Sequence, residues 1–335
     1  MSLFLPSNRA VRRWLRAVLL LVAVGISTSS AQAGAQSLAY IARYGMNDVA
    51  IVDTATRQTI GSIPVGMQPL DVAMSQDHSR VYVSNFESAS VSVIDTSSNE
   101  VIATVPVGDG PYGLDLTPDG RYVYVANSRN PEGKTGLGEG TVSVIDTSIN
   151  QVVATVDVEK SPQFVEVSPD GAYVYVATIG HGNGHLSVID TMSKELVDRI
   201  PTGSGAYNVE VSSDGSRIYV ANSLGHTITV IERTGATHAF FDDIETYAGG
   251  LGLALSPDGT RLYATDYESA TDTHMVRVFD TATNGEIASF PVPSANLFIS
   301  VSPDGETLYV GALTGPQANE GALLVVDAAT GAVDE

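Results

Sequence analysis

From residue 69 onward the chain alternates apolar and polar positions in short runs of five to seven residues, cut at regular intervals by turn residues. Such runs are strand-length and carry the two-residue period of half-buried β-structure. Four of them form a unit. The clearest copy spans Pro111 to Val158, with runs at 111–116, 122–127, 141–146 and 152–158, here called strands a to d. Similar units follow from Pro69, Pro162, Tyr207, Leu251 and Asn296. Leu38 to Gly66 supplies three runs that match strands b, c and d, without an evident strand a. The last unit lacks an evident strand d.

An aspartate closing strand c sets the period. Asp53, Asp95, Asp146, Asp190, Asp280 and Asp327 occupy that position and Glu232 replaces it once, giving spacings of 42, 51, 44, 42, 48 and 47 residues. A repeat of this length built from four short strands is a propeller blade. Seven such positions predict an all-β, seven-bladed β-propeller of four-stranded antiparallel blades. Strand a carries paired apolar residues in each full unit: Val72/Met74, Leu114/Leu116, Val165/Val167, Val209/Val211, Leu253/Leu255 and Ile299/Val301. Each blade therefore has a face to bury, and closing a ring buries it while removing the open edge of a flat array. Closure is left open between two routes: residues 35–40 could complete the last blade, or Gly331 to Glu335 could be the beginning of its own strand d.

The turns between strands a and b repeat as Pro118-Asp119-Gly120, Pro169-Asp170-Gly171, Pro257-Asp258-Gly259 and Pro303-Asp304-Gly305, with Gln76-Asp77-His78 and Ser213-Asp214-Gly215 aligned to them. Proline sets φ, aspartate bonds nearby amides and glycine takes positive φ. A residue repeated in nearly every blade reads as construction rather than chemistry.

Strand b carries Tyr82-Val83-Ser84-Asn85, Tyr124-Val125-Ala126-Asn127, Tyr175-Val176-Ala177-Thr178, Tyr219-Val220-Ala221-Asn222, Tyr263-Ala264-Thr265-Asp266 and Tyr309-Val310-Gly311-Ala312. With the S/T-P-D-G turn before it and V-x-V-I-D-T after it, this pattern resembles the YVTN family of propeller repeats over residues 38 to 330. The resemblance implies the ring and an exported, YncE-like or surface-layer-like bacterial protein. More distant relatives include lactonases, lyases and quinoprotein-associated propellers. The repeat itself carries no catalytic motif that transfers to particular residues.

The first 33 residues stand outside the repeat. Arg9, Arg12, Arg13 and Arg16 precede an apolar run from Ala17 to Ile26, and Ala31-Gln32-Ala33 offers a small-residue cleavage site. This predicts an export signal over 1–33, a single propeller domain over 34–335, and a periplasmic or secreted location. The run is shorter than the roughly 20 residues of a spanning helix, and no later segment is long and apolar enough to cross a membrane.

Charge narrows the partners. The chain has 17 basic and 38 acidic residues; without 1–33 it keeps 13 basic and all 38 acidic, about −25 net. That field repels phosphate backbones, so no nucleic-acid partner is expected, and it favours cations or basic partners. Absence of cysteine excludes disulfides, thiolate metal sites and cysteine nucleophiles. No GxSxG elbow, phosphate-binding glycine loop or haem-attachment motif occurs.

Antiparallel order puts the d-to-a and b-to-c loops on one rim. That rim carries the irregular lengths, at 128–140, 179–184, 267–273 and 313–321, and is the expected functional face. Counting back from the turn aspartate, the fourth position of strand a holds Ala73, Asp115, Glu166, Glu210, Ala254 and Ser300, and the sixth holds Asp71, Gly113, Phe164, Asn208, Gly252 and Phe298. Asp71, Asp115, Glu166 and Glu210 thus fall on adjacent inner strands, where they could hold a divalent cation or attract an amine, or instead bond a neighbouring blade. His181, His185 and His226 form a second candidate metal set on b-to-c loops. The expected function is a monomeric, noncatalytic binding or scaffold protein that presents its irregular rim to an envelope or extracellular protein, a peptide or a small ligand. A lactonase-like or lyase-like enzyme with a channel-mouth site and a structural envelope protein are the alternatives.

Overall fold

The computed structural model describes residues 20–23, 38–129, 140–179, 184–247, 252–293, 295–314 and 320–334. Within them are seven four-stranded antiparallel sheets, each made of consecutive strands. Blade 1 is β1 (Leu20–Ala23), β2 (Leu38–Arg43), β3 (Asp48–Asp53) and β4 (Gln58–Pro64). Blade 2 is β5 (Pro69–Met74) to β8 (Glu100–Pro106), by way of β6 (Arg80–Asn85) and β7 (Ser90–Asp95). Blade 3 comprises β9 (Pro111–Leu116), β10 (Tyr122–Asn127), β11 (Gly140–Asp146) and β12 (Gln151–Val158). Blade 4 has β13 (Pro162–Val167), β14 (Tyr173–Thr178), β15 (His185–Asp190) and β16 (Glu195–Pro201). Blade 5 has β17 (Ala206–Val211), β18 (Arg217–Asn222), β19 (Thr227–Thr234) and β20 (Thr237–Glu245). Blades 6 and 7 complete the ring with β21 (Leu253–Leu255), β22 (Arg261–Glu268), β23 (Thr273–Asp280), β24 (Glu286–Val292), β25 (Ala295–Val301), β26 (Thr307–Thr314), β27 (Glu320–Asp327) and β28 (Val333–Asp334). Among the described residues one short 3-10 turn, Phe86–Ser88, interrupts the strands, and no described helix is long and apolar enough to cross a membrane.

Two of these strands answer the closure question. The last blade takes its strand d from its own Val333–Asp334, and β2 is strand b of blade 1 rather than a donated strand. The missing strand a of blade 1 is β1, which lies inside the segment read as an export signal and pairs antiparallel with β2, Leu20 opposite Arg43 and Ala23 opposite Tyr40. The stretch 267–273, expected to be a loop, is largely the tip of an extended hairpin, since β22 and β23 pair as far as Glu268 and Thr273.

Apolar side chains of strands a, b and c meet between neighbouring blades. Tyr124, Val142 and Val144 pack with Val165, Val174 and Ile189 across the seam of blades 3 and 4, and similar sets fill the seams of blades 2/3, 5/6 and 6/7. The seam of blades 7 and 1 is the thinnest described, with Ile41 and Ala50 buried and Val52 and Leu323 packed against them. The strand b tyrosines Tyr82, Tyr124, Tyr175, Tyr219 and Tyr263 are fully buried, and strand b hydroxyls reach the next blade: that of Tyr40 donates to Asn99 Oδ1 at 2.7 Å, that of Tyr124 to the Thr191 carbonyl, and that of Tyr175 bonds His238 Nε2 at 3.0 Å.

The repeated acids at the turns are satisfied locally. Asp119 Oδ1 accepts from the Thr117 hydroxyl at 2.6 Å and the Arg121 amide at 3.0 Å, and Gly120 takes φ +69°. Asp53, Asp95, Asp146, Asp190, Asp280 and Asp327 each accept from amides two or three residues on. The threonine after strand c ties the two turns of a blade together, Thr147 and Thr191 donating to the carbonyls of Gly120 and Gly171.

Candidate functional site

The inner strands bring one sequence-predicted group together and cap it with residues the sequence did not single out. Asp71 Oδ1 accepts from the Val72 amide and Oδ2 from the Leu114 amide of the next blade, both at 2.8 Å. Asp115 repeats this with Leu116 at 2.7 Å and Val167 of the following blade at 2.8 Å. Glu210 accepts from the Leu255 amide of blade 6. One rule covers all three: an inward acid takes the amide of the residue one register step further along the adjacent inner strand.

Their electrostatics follow from enclosure. Burial pushes Asp71 up to about 7 and Asp115 up to about 6, against the lowering effect of the amides they accept from. Burial and then the charge of Asp115 push Glu210 up to about 8. Glu166 rises well above the usual range, first by burial and then through Asp115, Glu210 and Asp71. Acids that influence one another across several blades share their protons. Near neutral pH the set is therefore partly protonated, which weakens the field a cation would feel. Among the described residues no group of three or more His, Asp or Glu side chains is arranged to hold a metal ion.

The aromatic cluster belongs to the start of the same strands, on the irregular-rim side. Tyr112 and Tyr207, from blades 3 and 5, meet hydroxyl to hydroxyl at 2.5 Å. Phe164 lies between them, with ring centroids 5.5 Å from Tyr112, 5.3 Å from Tyr207 and 5.6 Å from Phe298. Such separations are those of mutually packed rings. Burial pushes the Tyr112 hydroxyl up to about 12, its bond with Tyr207 offsetting part of the rise. Glycine at the same register of the preceding blade makes room for each phenylalanine: a Cβ on Gly113 would stand 2.7 Å from Phe164 Cα, and one on Gly252 3.0 Å from Phe298 Cα.

Above this floor the b-to-c loops contribute a charged edge. Phe86 packs edge-on to Tyr112 at 6.1 Å, and the Arg129 guanidinium lies 4.1 Å over the Phe86 ring while pairing with Glu87 at 2.5 Å. Tyr44 of blade 1 is close enough for Glu87 and Arg129 to act on its hydroxyl, though burial is the larger cause of its raised value. Phe86, Glu87, Arg129 and Tyr44 sit in loops without periodicity, so nothing in spacing marks them. The tyrosine pair could have been found, since both fall seven positions before the turn aspartate.

The two described histidines of the second candidate set have separate partners. His181 lies outside the described residues. His185 Nδ1 faces Glu159 at 3.0 Å, and His226 bonds the Tyr247 carbonyl. Of the other long loops on this rim, 130–139, 180–183 and 315–319 also lie outside the described residues.

Comparison with known proteins agrees on the architecture. Residues 6–134 match the family model described as YNCE-like beta-propeller, and residues 134–236 match that of the Cytochrome D1 heme domain. Among solved structures, Kuenenia stuttgartiensis hydrazine synthase is similar at 25% identity and a TM-score of 0.72, over 88% of this chain and 93% of that one. A functionally unknown protein from Desulfotomaculum acetoxidans DSM 771 is similar at 18% identity and a TM-score of 0.75, over 89% and 94%, a likeness of fold alone. None of the curated proteins compared matches the chain. With seven four-stranded blades following one another in a ring, the chain is a seven-bladed β-propeller protein whose residues 6–134 are similar to the YNCE-like beta-propeller family.

Proposed function

We propose that this propeller is an exported, noncatalytic binding protein that presents the mouth of its irregular rim to a protein or small ligand. The observation that carries this reading is the aromatic floor: Tyr112, Phe164, Tyr207 and Phe298 occupy the channel entrance in mutual contact. A ligand arriving at that rim meets rings and the Arg129–Glu87 pair instead of the acids beneath. Aromatic and arginine side chains are the residue types that dominate recognition surfaces. On the opposite rim the turn acids are already bonded within their own turns, which favours construction there.

The enzymatic alternative is less well supported, because Asp71, Asp115 and Glu210 spend an oxygen each on a neighbouring blade's backbone. The matched haem-domain model raises the question of a haem in the channel, and the described residues do not fit one. The ring-packed floor fills the entrance, and none of the described histidines lies on an inner strand: His78 is in a turn, His185 and His274 begin strands c, His226 is in a b-to-c turn, and His238 sits on the outer strand beside Tyr173 and Tyr175.

Affinity capture from an envelope extract tests the proposal when three immobilised chains are compared. The unsubstituted chain and a regular-rim variant, Asp119→Asn, should retain the same specific partner, and the double variant Phe86→Ala, Arg129→Ala should lose it. Equal retention by all three would remove the mouth as the binding surface.

A further inference from the structure

Glu87 and Arg129 hold the same place in neighbouring blades, two residues past the end of strand b. The Glu87 amide donates to the Met67 carbonyl and the Arg129 amide to that of Asp109, each in the loop that leads into its own blade. Leu224 repeats the arrangement in blade 5, its amide donating to the Ser204 carbonyl, and there the side chain is 67% exposed. The backbone frame therefore stands without an ion pair or a stacked cation at this position. Blade construction does not demand what Arg129 does over the mouth.

The Arg129 stem crosses Gly110, where φ is +63° and a Cβ would come 2.7 Å from Arg129 Cγ. Its guanidinium then covers the Phe86 ring, while Nη2 donates to Glu87 Oε1. The Glu87 bond, and behind it the charges of Glu87 and Asp109, push the guanidinium's pKa up against the lowering effect of burial. Phe86 and Glu87 thus supply the two groups that hold a cation at a surface, the face of an aromatic ring and a carboxylate within reach of the same charge. Tyr112 stands edge-on beside Phe86, and Tyr44 is within reach of both charges. The Arg129 and Glu87 side chains are 38% and 36% exposed, so a cation from solution has access to both. An ion pair this exposed is worth little and is exchanged at little cost. The net charge of −21 draws cations toward the protein.

We propose that Phe86 and Glu87 form a binding site for the guanidinium of an arginine-bearing peptide segment, and that Arg129 is its resident occupant, displaced when the partner's arginine arrives. This inference rests on the mouth being the recognition surface, and it names the chemistry that surface reads. An internal occupant lowers the apparent affinity of the site by the fraction of molecules in which it is seated.

Nα-acetyl-arginine amide and its uncharged isostere Nα-acetyl-citrulline amide, titrated into the full chain and followed by ligand-observed NMR, provide the test. The arginine compound alone should bind, and Arg129→Ala should tighten it roughly fivefold by removing the competitor. Glu87→Gln or Phe86→Leu, each combined with Arg129→Ala, should abolish that gain. Arg199→Ala removes the same unit of charge from an exposed pair on blade 4 and should leave the affinity unchanged, which separates a site from general attraction to an acidic surface. Equal binding of the citrulline compound, no gain in Arg129→Ala, or a gain as large in Arg199→Ala would each overturn the proposal. A captured envelope partner that the Phe86→Ala, Arg129→Ala variant loses, but that the arginine compound displaces no better than the citrulline one, would keep the mouth as the binding surface and remove the cation site.

Discussion

Asn127 shows what the last residue of the strand b signature does. It is fully buried, and its Nδ2 donates to Thr141 and Ser143 of strand c at 3.0 and 2.9 Å. Asn85 and Asn222 make the same pair of bonds in their blades. Each has a glycine seated on it from the d-to-a loop, and a Cβ on Gly108 would come 2.6 Å from Asn127 Cγ. Gly108→Ala should therefore cost about 2 kcal/mol or more through overpacking. Gly120→Ala has nothing within 4 Å but φ of +69°, so its cost should be nearer about 1 kcal/mol, from backbone strain alone. Urea midpoints of the two variants separate these causes, and equal shifts would contradict the steric account. The sequence displays the asparagine three times and the glycine beside each loop, yet the contact between them is invisible there, because the two stand nineteen positions apart in the chain.

At the scale of elements, blade 6 departs from this scheme as a matched set. Asp266 stands where blades 2, 3 and 5 have asparagine, and Arg277 where those blades have a strand c serine or threonine; the two pair at 3.3 Å, with Arg277 also bonding Glu286 at 2.5 Å. Removing one member of a buried pair leaves an uncompensated charge and costs roughly 3 to 5 kcal/mol, whereas neutral partners of matching shape avoid that cost. Arg277→Ser takes the cation from the buried Asp266 and should lower the thermal midpoint, Asp266→Asn should lower it less because Glu286 still pairs with Arg277, and the double variant should recover much of the larger loss by restoring the arrangement of blades 2, 3 and 5. A double variant as unstable as the sum of the singles would show that the two positions act independently. Outer strands show a second shared device. In blades 1 to 6 a bulge breaks the pairing of strand d with strand c, at Ile60, Ile102, Val153, Val197, Phe241 and Ile287. All six are exposed, and a bulged edge is a poor template for another strand. The alternation of polar and apolar residues predicted these strands but hid the bulges, since one extra residue near a turn does not disturb a short pattern.

For the molecule as a whole, the seven-fold period was legible because every blade must repeat the same burial, and the inner acids were legible because they break that repetition at aligned positions. The mouth was not, since Tyr44, Phe86, Arg129 and Tyr112 come from three blades and converge only when the ring closes. Closure also decides what the acids do. Asp71 at about 7 and Glu210 at about 8 sit above their values in an unfolded chain, so the folded state holds protons that the unfolded state has released. Their favourable contribution is complete at low pH and is lost as pH rises through the folded values. The turn aspartates, held down near 2 at Asp77, Asp214 and Asp258, have finished titrating well below this interval. His238, lowered by burial, acts in the opposite sense but below about 6.5. Between pH 7 and 9 the channel acids therefore dominate, and the full chain should lose on the order of 1 to 2 kcal/mol of unfolding free energy. Glu210→Gln keeps an oxygen for the Leu255 amide while removing the titration, so it should flatten most of that slope and leave stability at pH 6 nearly unchanged. Urea unfolding across the interval reads both quantities. A wild-type midpoint that stays level from pH 7 to 9, or a slope that survives Glu210→Gln intact, would mean that water or an open channel solvates these carboxylates and that the ring does not enclose them.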